Sequence, residues 1–136
     1  MSAAPETAVH KRRIPAAPLL PDDHIGNYDI DRVLGQGGYG AVYAAVRRSD
    51  GRAVAIREFL PAKLVRRRRN GDVVLQDGAD ELTFKRALTR FIAAGQAMVK
   101  CQHPNLVTAH EVFEDRGTAY LIMDLVHGQR LSEAFK

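Results

Sequence analysis

Four glycines within six residues, placed between two apolar runs, constrain the fold of this chain most strongly. Residues 34–43 read LGQGGYGAVY. The residues before the glycines and the run 41–46 have the aromatic and β-branched content of strands. Glycine permits a tight turn and a close backbone approach to a ligand, because it has no side chain. Since the glycines lie between two strands and not before a helix, they predict a hairpin and argue against a Rossmann-type dinucleotide site.

The rest of the chain predicts three more strands and one long helix. A turn at residues 49–51 precedes a strand over residues 53–59. Apolar residues then recur at three- and four-residue steps over residues 82–101, the period of one helix face. Two further strands follow, over residues 106–113 and 118–123. The predicted order is β-β-β-α-β-β, an α+β fold with a five-stranded antiparallel sheet and one main helix.

Two segments fall outside this pattern of strands and helix. Residues 1–24 hold four of the six prolines and show no periodicity, which predicts a disordered or loosely docked arm. Residues 25–131 are the predicted folded domain, and residues 61–81 form a basic insert within it. Five positive charges of the insert explain why the net charge is +4 and not −1. They are Lys63, Arg66, Arg67, Arg68 and Arg69.

The basic tract has two interpretations that the sequence leaves open. It is either a solvated loop or a docking patch for an acidic partner. No aromatic residues alternate with the arginines, and this argues against a nucleic-acid site. No apolar run approaches the roughly 20 residues of a membrane span. Cys101 is the only cysteine, so the chain forms no internal disulfide, and we expect a cytoplasmic protein.

Several runs together resemble the small N-terminal lobe of a bacterial-type serine/threonine protein kinase. The glycine-rich stretch resembles the family's phosphate-covering loop, and Val54-Ala55-Ile56-Arg57 its third strand. His103-Pro104-Asn105 resembles its helix-to-strand turn, and residues 118–123 its fifth strand. The resemblance implies an N-lobe over residues 25–131, with residues 132–136 beginning the helix that leads to the large lobe.

The same resemblance implies a nucleotide site on one face of the sheet. Val42 and Ala55 would cover the adenine, Met123 would be the gatekeeper, and residues 124–126 the hinge. ATP, bound weakly, is the implied cofactor. The candidate nucleotide-binding residues are Leu34, Gly35, Gly37, Gly38, Gly40, Val42, Ala55, Arg57, Met123, Asp124 and Val126.

Two departures from the family pattern bear on catalysis. Arg57 stands where the phosphate-gripping lysine belongs, and Ala94 where the helix glutamate that holds this lysine belongs. Gln96 lies roughly 200° round the helix from Ala94 and cannot substitute. The alternative that Arg57 alone suffices to contact phosphate stays open. The catalytic loop and the metal ligands of kinases would follow the hinge, so we expect no catalytic residue, no metal site and no phosphoryl transfer by this chain alone.

These features favour a non-catalytic kinase-like N-lobe that acts as a binding or regulatory module, a pseudokinase-like role. The alternative is the ATP-binding N-terminal fragment of a serine/threonine kinase, and a weaker third is a decaying gene. We expect a protein partner or self-association through the exposed cleft face, because apolar groups there would meet water. Those groups are Leu34, Val42, Ala55, Met123 and Leu125.

Overall fold

A computed structural model gives the fold of residues 16–101 and 107–125. Eight strands and one long helix make up this part of the chain. In chain order they are β1 (His24–Ile25), β2 (Tyr28–Gln36), β3 (Gly40–Arg47), β4 (Ala53–Phe59), β5 (Val65–Arg67), β6 (Val73–Leu75), α1 (Glu81–Lys100), β7 (Ala109–Asp115) and β8 (Thr118–Asp124). No helix in these two ranges is long and apolar enough to cross a membrane.

Six strands form one antiparallel sheet in the order β1-β2-β3-β4-β8-β7. The predicted α+β architecture, with one helix between the third and fourth long strands, is confirmed. The sheet has six strands where five were predicted, because the short strand β1 adds to its edge through the His24↔Asp29 pairing. Gly26 has a φ of 49°, which permits the tight connection from β1 to β2.

The basic insert is a folded hairpin, a structure that its arginine-rich sequence did not predict. Strands β5 and β6 pair antiparallel, from Val65↔Leu75 to Arg67↔Val73. The hairpin is attached to the turn between β7 and β8, since the Val73 N–H donates to the Arg116 carbonyl at 2.7 Å. The Arg116 guanidinium in turn donates to the carbonyls of Asn70 and His24. The insert is therefore anchored to the main sheet at both ends of its turn.

One face of the sheet, which we call the arm face, carries the larger core. Residues 16–24 run over this face, and Leu19 is only 1% exposed. The Leu19 N–H donates to the Tyr43 hydroxyl at 3.0 Å. This segment is therefore more firmly packed than the disordered or loosely docked arm expected over residues 1–24, whose first 15 residues lie outside the described ranges. The core of the arm face consists of Leu19, Ile25, Tyr28, Ile30, Ala41, Tyr43, Ala45, Val54, Ile56, Tyr120 and Ile122.

The opposite face, which we call the helix face, packs against α1. The helix begins after Asp80, whose carboxylate accepts from the Thr83 N–H at 3.2 Å and caps the first turn. Its bounds agree with the predicted 82–101 to within one residue at each end. A Cβ at Gly95 would lie 3.0 Å from Val112 Cγ2, so glycine here lets the helix approach the sheet closely. This contact offsets the roughly 1 kcal/mol that glycine costs within a helix.

Candidate functional site

The strand register brings four of the candidate nucleotide-binding residues to the helix face. Val42 pairs with Arg57 across β3 and β4, and Ala55 pairs with Met123 across β4 and β8. Because side chains alternate along a strand, Val42, Ala55, Arg57 and Met123 share one face. Ala55 and Met123 are fully buried, whereas Val42 and Arg57 are half-buried. Leu34 is also half-buried, at the end of β2 that leads into the glycines.

The glycine hairpin is held by the segment that follows β4. The Leu60 N–H donates to the Tyr39 carbonyl at 2.9 Å, and the Ala62 N–H to the Gly38 carbonyl at 2.8 Å. Within the described ranges, the N–H groups of Gly38 and Tyr39 donate to no backbone carbonyl. Backbone N–H groups at such a turn are suited to an anion. The hairpin therefore presents the N–H groups of Gly38 and Tyr39 as free donors, while the carbonyls of these two residues are already bonded.

The four hairpin glycines differ in how much space surrounds them. A Cβ at Gly35, Gly37 or Gly38 would meet no atom within 4 Å. A Cβ at Gly40 would lie 2.2 Å from the Glu58 carbonyl oxygen. Gly40 is thus required by the close approach of β3 to β4, whereas the other three leave open space that a ligand can use.

Arg57 faces an aromatic ring on α1. Its guanidinium carbon lies 5.8 Å from the centroid of the Phe91 ring, a cation–π contact. None of the ion pairs in the described ranges involves Arg57. Ala94 follows Phe91 by three residues, which places both on neighbouring positions of one helix face. The sequence indicated the missing carboxylate at Ala94, but it did not indicate the aromatic partner one turn earlier.

The hinge candidate Asp124 has its carboxylate bound within the protein. Its Oδ1 atom lies 2.8 Å from Arg52 Nη2 and 2.6 Å from His110 Nε2. Its N–H donates to the Thr108 carbonyl at 2.9 Å. The Asp124 side chain is therefore bonded to Arg52, just before β4, and to His110 in β7. Val126, the last candidate, lies outside the described residues, as do His103 and Asn105.

The apolar area left open on the helix face is smaller than predicted. Met123 and Ala55 were expected to meet water, but both are 0% exposed. Met123 belongs to a cluster with Ala109 and Leu121 against which α1 packs. Of the five apolar groups expected at the cleft, Leu34, Val42 and Leu125 remain half-buried.

A buried acidic residue, Glu58, organises the arm face and was not singled out by the sequence. Its carboxylate accepts from the Tyr43 hydroxyl at 2.5 Å, the Tyr120 hydroxyl at 2.6 Å and Arg67 Nη2 at 2.7 Å. Glu58 is fully buried, and the Arg67 side chain is 5% exposed. Burial, reinforced by the negative charge of Glu58, raises the pKa of both tyrosines. The only sequence signal for this cluster was a glutamate that continues the alternate positions held by the apolar residues Val54 and Ile56 of its strand.

This cluster corrects the prediction for the arginine tract. Arg67 was grouped with four other cations as a patch for an acidic partner, but it points into the protein. Besides Glu58, it donates to the carbonyls of Ala17 and Gly71, each at 2.6 Å. Of the predicted patch, Lys63, Arg66, Arg68 and Arg69 are exposed.

Comparison with known proteins identifies the family. Residues 28–136 match the protein kinase domain. This chain belongs to the protein kinase domain family. A solved structure of PpkA in its apo form superposes with a TM-score of 0.79 at 28% identity, over 85% of this chain and 41% of that one. The fold is therefore that of a kinase N-lobe.

Two curated relatives give the same assignment. The chain is 28% identical over 116 residues to the serine/threonine-protein kinase PknA of Mycobacterium tuberculosis (strain ATCC 25618 / H37Rv), covering 82% of this chain and 23% of PknA. It is 34% identical over 106 residues to a CBL-interacting protein kinase of Oryza sativa subsp. japonica, covering 78% of this chain and 22% of that kinase. The chain thus spans about a fifth of the length of the curated kinases that it matches.

In residues 16–101 and 107–125, no group of three or more His, Cys, Asp or Glu side chains is placed so that it could hold a metal ion. Among the candidate nucleotide-binding residues within the described ranges, Val42 is apolar and half-buried, Gly38 has an N–H that donates to no backbone carbonyl, and Arg57 is the one cation. The expectation that the chain has no metal site stays a prediction.

Proposed function

We propose that this chain is a kinase N-lobe that acts as a binding and regulatory module, binding ATP weakly and transferring no phosphate by itself. The observation that carries the proposal is the position of Arg57 against Phe91, with Ala94 on the same helix face. In kinases a lysine at the position of Arg57 holds the nucleotide phosphates, and a glutamate at the position of Ala94 on the helix holds the lysine. Here the cation is held by a ring and has no carboxylate to orient it.

Part of the site fits ATP and part does not. Val42 would cover the adenine, and the free N–H groups of Gly38 and Tyr39 would donate to phosphate oxygens. Ala55 is 0% exposed, so it would reach the adenine only if its neighbours moved. Arg57 would supply positive charge, but its planar guanidinium is bulkier than an ammonium and would have to leave Phe91 to reach a phosphate. ATP, when bound, supplies the γ-phosphoryl group that an active kinase transfers. Because the site fits ATP only in part, we expect the lobe to bind ATP weakly and to leave the phosphates unaligned for transfer.

The regulatory part of the proposal rests on the surfaces that the lobe leaves available. Leu34, Val42 and Leu125 are half-buried at the cleft face, which suits self-association or contact with another protein. Because Ala55 and Met123 are covered, we expect this contact to be transient rather than permanent. Sedimentation at increasing concentration should show reversible association, and a strictly monomeric protein with no bound partner would count against this contact.

A second candidate function is the ATP-binding part of an active serine/threonine kinase. The intact glycine hairpin and the 28% identity to PknA favour it. In this alternative Arg57 leaves Phe91 and takes over the phosphate contact. The two candidates differ in how the lobe responds to nucleotide and to magnesium.

The test combines a melting curve with a transfer assay. The proposal predicts that millimolar ATP barely raises the melting temperature, with or without magnesium, and that labelled ATP leaves no label on the chain or on an added acceptor protein. A rise of several degrees that disappears in Arg57→Ala would support the second candidate. Label incorporated by the purified chain would overturn the proposal, provided that a mock purification shows none.

A further inference from the structure

Residues 16–19 form a short segment, which we call the strap, on the arm face of the sheet. No residue of the strap belongs to a strand or a helix. Side chains of other elements hold its backbone instead. The Leu19 N–H donates to the Tyr43 hydroxyl at 3.0 Å, and the Ala17 carbonyl accepts from Arg67 Nε at 2.6 Å. The strap is therefore attached both to β3 and to the insert hairpin.

A third attachment joins the strap to the glycine hairpin. Gln36 is the last residue of β2 and lies between Gly35 and Gly37. Its Nε2 atom donates to the Ala16 carbonyl at 2.5 Å. Within the described ranges, this is the one side-chain hydrogen bond that residues 35–40 make. The base of the glycine hairpin is thus fixed through the strap.

The strap also packs against the segment that holds the tip of the glycine hairpin. The Leu60 N–H donates to the Tyr39 carbonyl at this tip. The Ala16 side chain belongs to one buried cluster with Leu60, Val65 and Val73. The base and the tip of the glycine hairpin therefore both depend on contacts to the same four-residue strap.

The strap can leave the arm face without breaking the buried ion pair beneath it. Arg67 keeps its bond to Glu58, and the Tyr43 hydroxyl keeps its own bond to Glu58. Release exposes only two buried side chains, those of Ala16 and Leu19. Local openings that expose so little surface need less free energy than global unfolding. The strap is therefore suited to reversible release.

A turn over residues 20–23 sets the point at which such a release stops. The Leu20 N–H donates to the Asp23 carboxylate at 2.7 Å, and the Asp23 N–H donates to the Leu20 carbonyl at 3.0 Å. The Asp22 N–H donates to the Ile30 carbonyl in β2 at 3.0 Å. The turn thus stays on the sheet by its own bonds when the strap moves.

We propose that the strap positions the glycine hairpin through Gln36, so that withdrawal of residues 16–19 from the arm face loosens the hairpin. Gln36 is a positioning residue, because the phosphate contacts are left to the N–H groups of Gly38 and Tyr39. The inference rests on the proposed function for its consequence: a loosened hairpin holds these donors less well and binds ATP more weakly. Strap docking and nucleotide binding are thereby coupled, and the coupling is reciprocal.

The experiment measures amide hydrogen exchange by NMR on the full 136-residue chain without nucleotide. Two amides report the position of the hairpin. The Gly37 N–H donates to the Gly40 carbonyl, and the Ala62 N–H donates to the Gly38 carbonyl. The amides of β8, in the middle of the sheet, report global opening. A change at the first two without a change in β8 is specific to the hairpin.

The first set of variants changes the side chain of Gln36. Gln36→Glu removes the donor and places a carboxylate against the Ala16 carbonyl, so exchange at both reporter amides should be at least about tenfold faster. Gln36→Lys keeps a donor and should restore exchange to near the natural rate. The matched control is Gln96→Glu at an exposed position of α1, which adds the same charge and should change neither amide.

A second pair of variants tests the strap away from the hairpin. Leu19→Ala removes the side chain that is 1% exposed and should speed exchange at the same two amides, although Leu19 is bonded to Tyr43 and not to the hairpin. Leu20→Ala changes a neighbour that is 65% exposed and should have no effect. In the double variant of Gln36→Glu and Leu19→Ala the two accelerations should not multiply, because both release one strap.

Three results would each overturn the proposal: unchanged exchange in Gln36→Glu, equal acceleration by Gln96→Glu, or acceleration that is the same in the hairpin and in β8. If Leu19→Ala fails to fold, the Gln36 variants still decide. All of these measurements are made without nucleotide. Tight ATP binding or phosphate transfer would therefore contradict the proposed function and leave the result on the strap standing.

Discussion

Two arginines on opposite faces of the sheet show how differently the two faces are built. On the arm face, Arg67 is buried with Glu58 as its partner, and it also donates to two backbone carbonyls. On the helix face, Arg57 is half-buried and rests against the Phe91 ring without a carboxylate. On the arm face the buried charges of Glu58 and Arg67 pair with each other, whereas on the helix face Arg57 has no charged partner among the described residues.

This difference separates stability from function. The Glu58 cluster joins β3, β4, β8, the insert hairpin and the segment before β1 through direct hydrogen bonds. Such a satisfied buried network fixes one arrangement of the chain. The cation–π contact at Arg57 is weaker and can be exchanged for a ligand. We therefore expect mutations on the arm face to change stability and mutations on the helix face to change binding.

The largest expected effect is on the arm face. Arg67→Met leaves the Glu58 carboxylate buried without its counter-charge, and this should lower the free energy of unfolding by about 3–5 kcal/mol. Urea denaturation of the full chain measures it. The matched control is Arg66→Met, the exposed neighbour in the same strand, which should change the free energy by less than about 0.5 kcal/mol. Equal effects of the two substitutions would contradict the buried pair.

The next effect separates two glycines of the same hairpin. Gly40→Ala forces a Cβ to within 2.2 Å of the Glu58 carbonyl oxygen, so the end of the β3–β4 pairing has to move. We expect a loss of about 1–3 kcal/mol in unfolding free energy. Gly38→Ala has open space and should lose much less. If both substitutions were equally tolerated, the close approach at Gly40 would be wrong.

A third effect concerns stability at alkaline pH. Burial, together with the hydrogen bond to Glu111, raises the pKa of Tyr28 to about 12. Its ordinary pKa of 10.0 applies in the unfolded chain, so the unfolded chain loses the proton first and stability falls as the pH rises above about 10. Between pH 10 and 12 the Tyr28 hydroxyl should lower the free energy of unfolding by about 1.4 kcal/mol for each pH unit, and Tyr28→Phe should remove this contribution. The measurement is the urea midpoint at each pH, and identical slopes in the two proteins would refute the assignment.

The smallest expected effect is on the helix face. Arg57→Gln removes the cation–π contact and should lower the unfolding free energy by only about 0.5–1 kcal/mol. Arg90→Gln, at an exposed position of α1, serves as the control and should change nothing measurable. A loss from Arg57→Gln as large as that from Arg67→Met would show that both faces store similar stability.

The sequence predicted those parts of the fold that depend on local patterns. The glycine hairpin, the long strands and α1 follow from turn residues and from apolar periodicity, and the helix bounds were correct to within one residue. The expectation that Arg57 stands where the family has a lysine follows from the fixed spacing of the family motif, and it stays a prediction. Local patterns therefore identified the family.

The features that the sequence missed depend on contacts between distant residues. Glu58 and Arg67 are nine residues apart, but the pair forms only because the insert folds back over the arm face. The burial of Leu19 and the Phe91 contact of Arg57 likewise require the assembled sheet. An arginine tract looks uniformly solvated in sequence, because nothing local distinguishes Arg67 from its neighbours. Tertiary packing decides which of these cations is buried.

The most direct test compares ATP binding by the natural chain with ATP binding by a variant that combines Arg57→Lys and Ala94→Glu. Isothermal titration calorimetry with magnesium measures both affinities. We expect weak binding by the natural sequence and binding at least about tenfold tighter by the double variant. Arg57→Lys alone should gain little, because the lysine needs its carboxylate. Natural-sequence protein that binds ATP as tightly as the double variant, and loses this affinity in Arg57→Ala, would contradict these expectations.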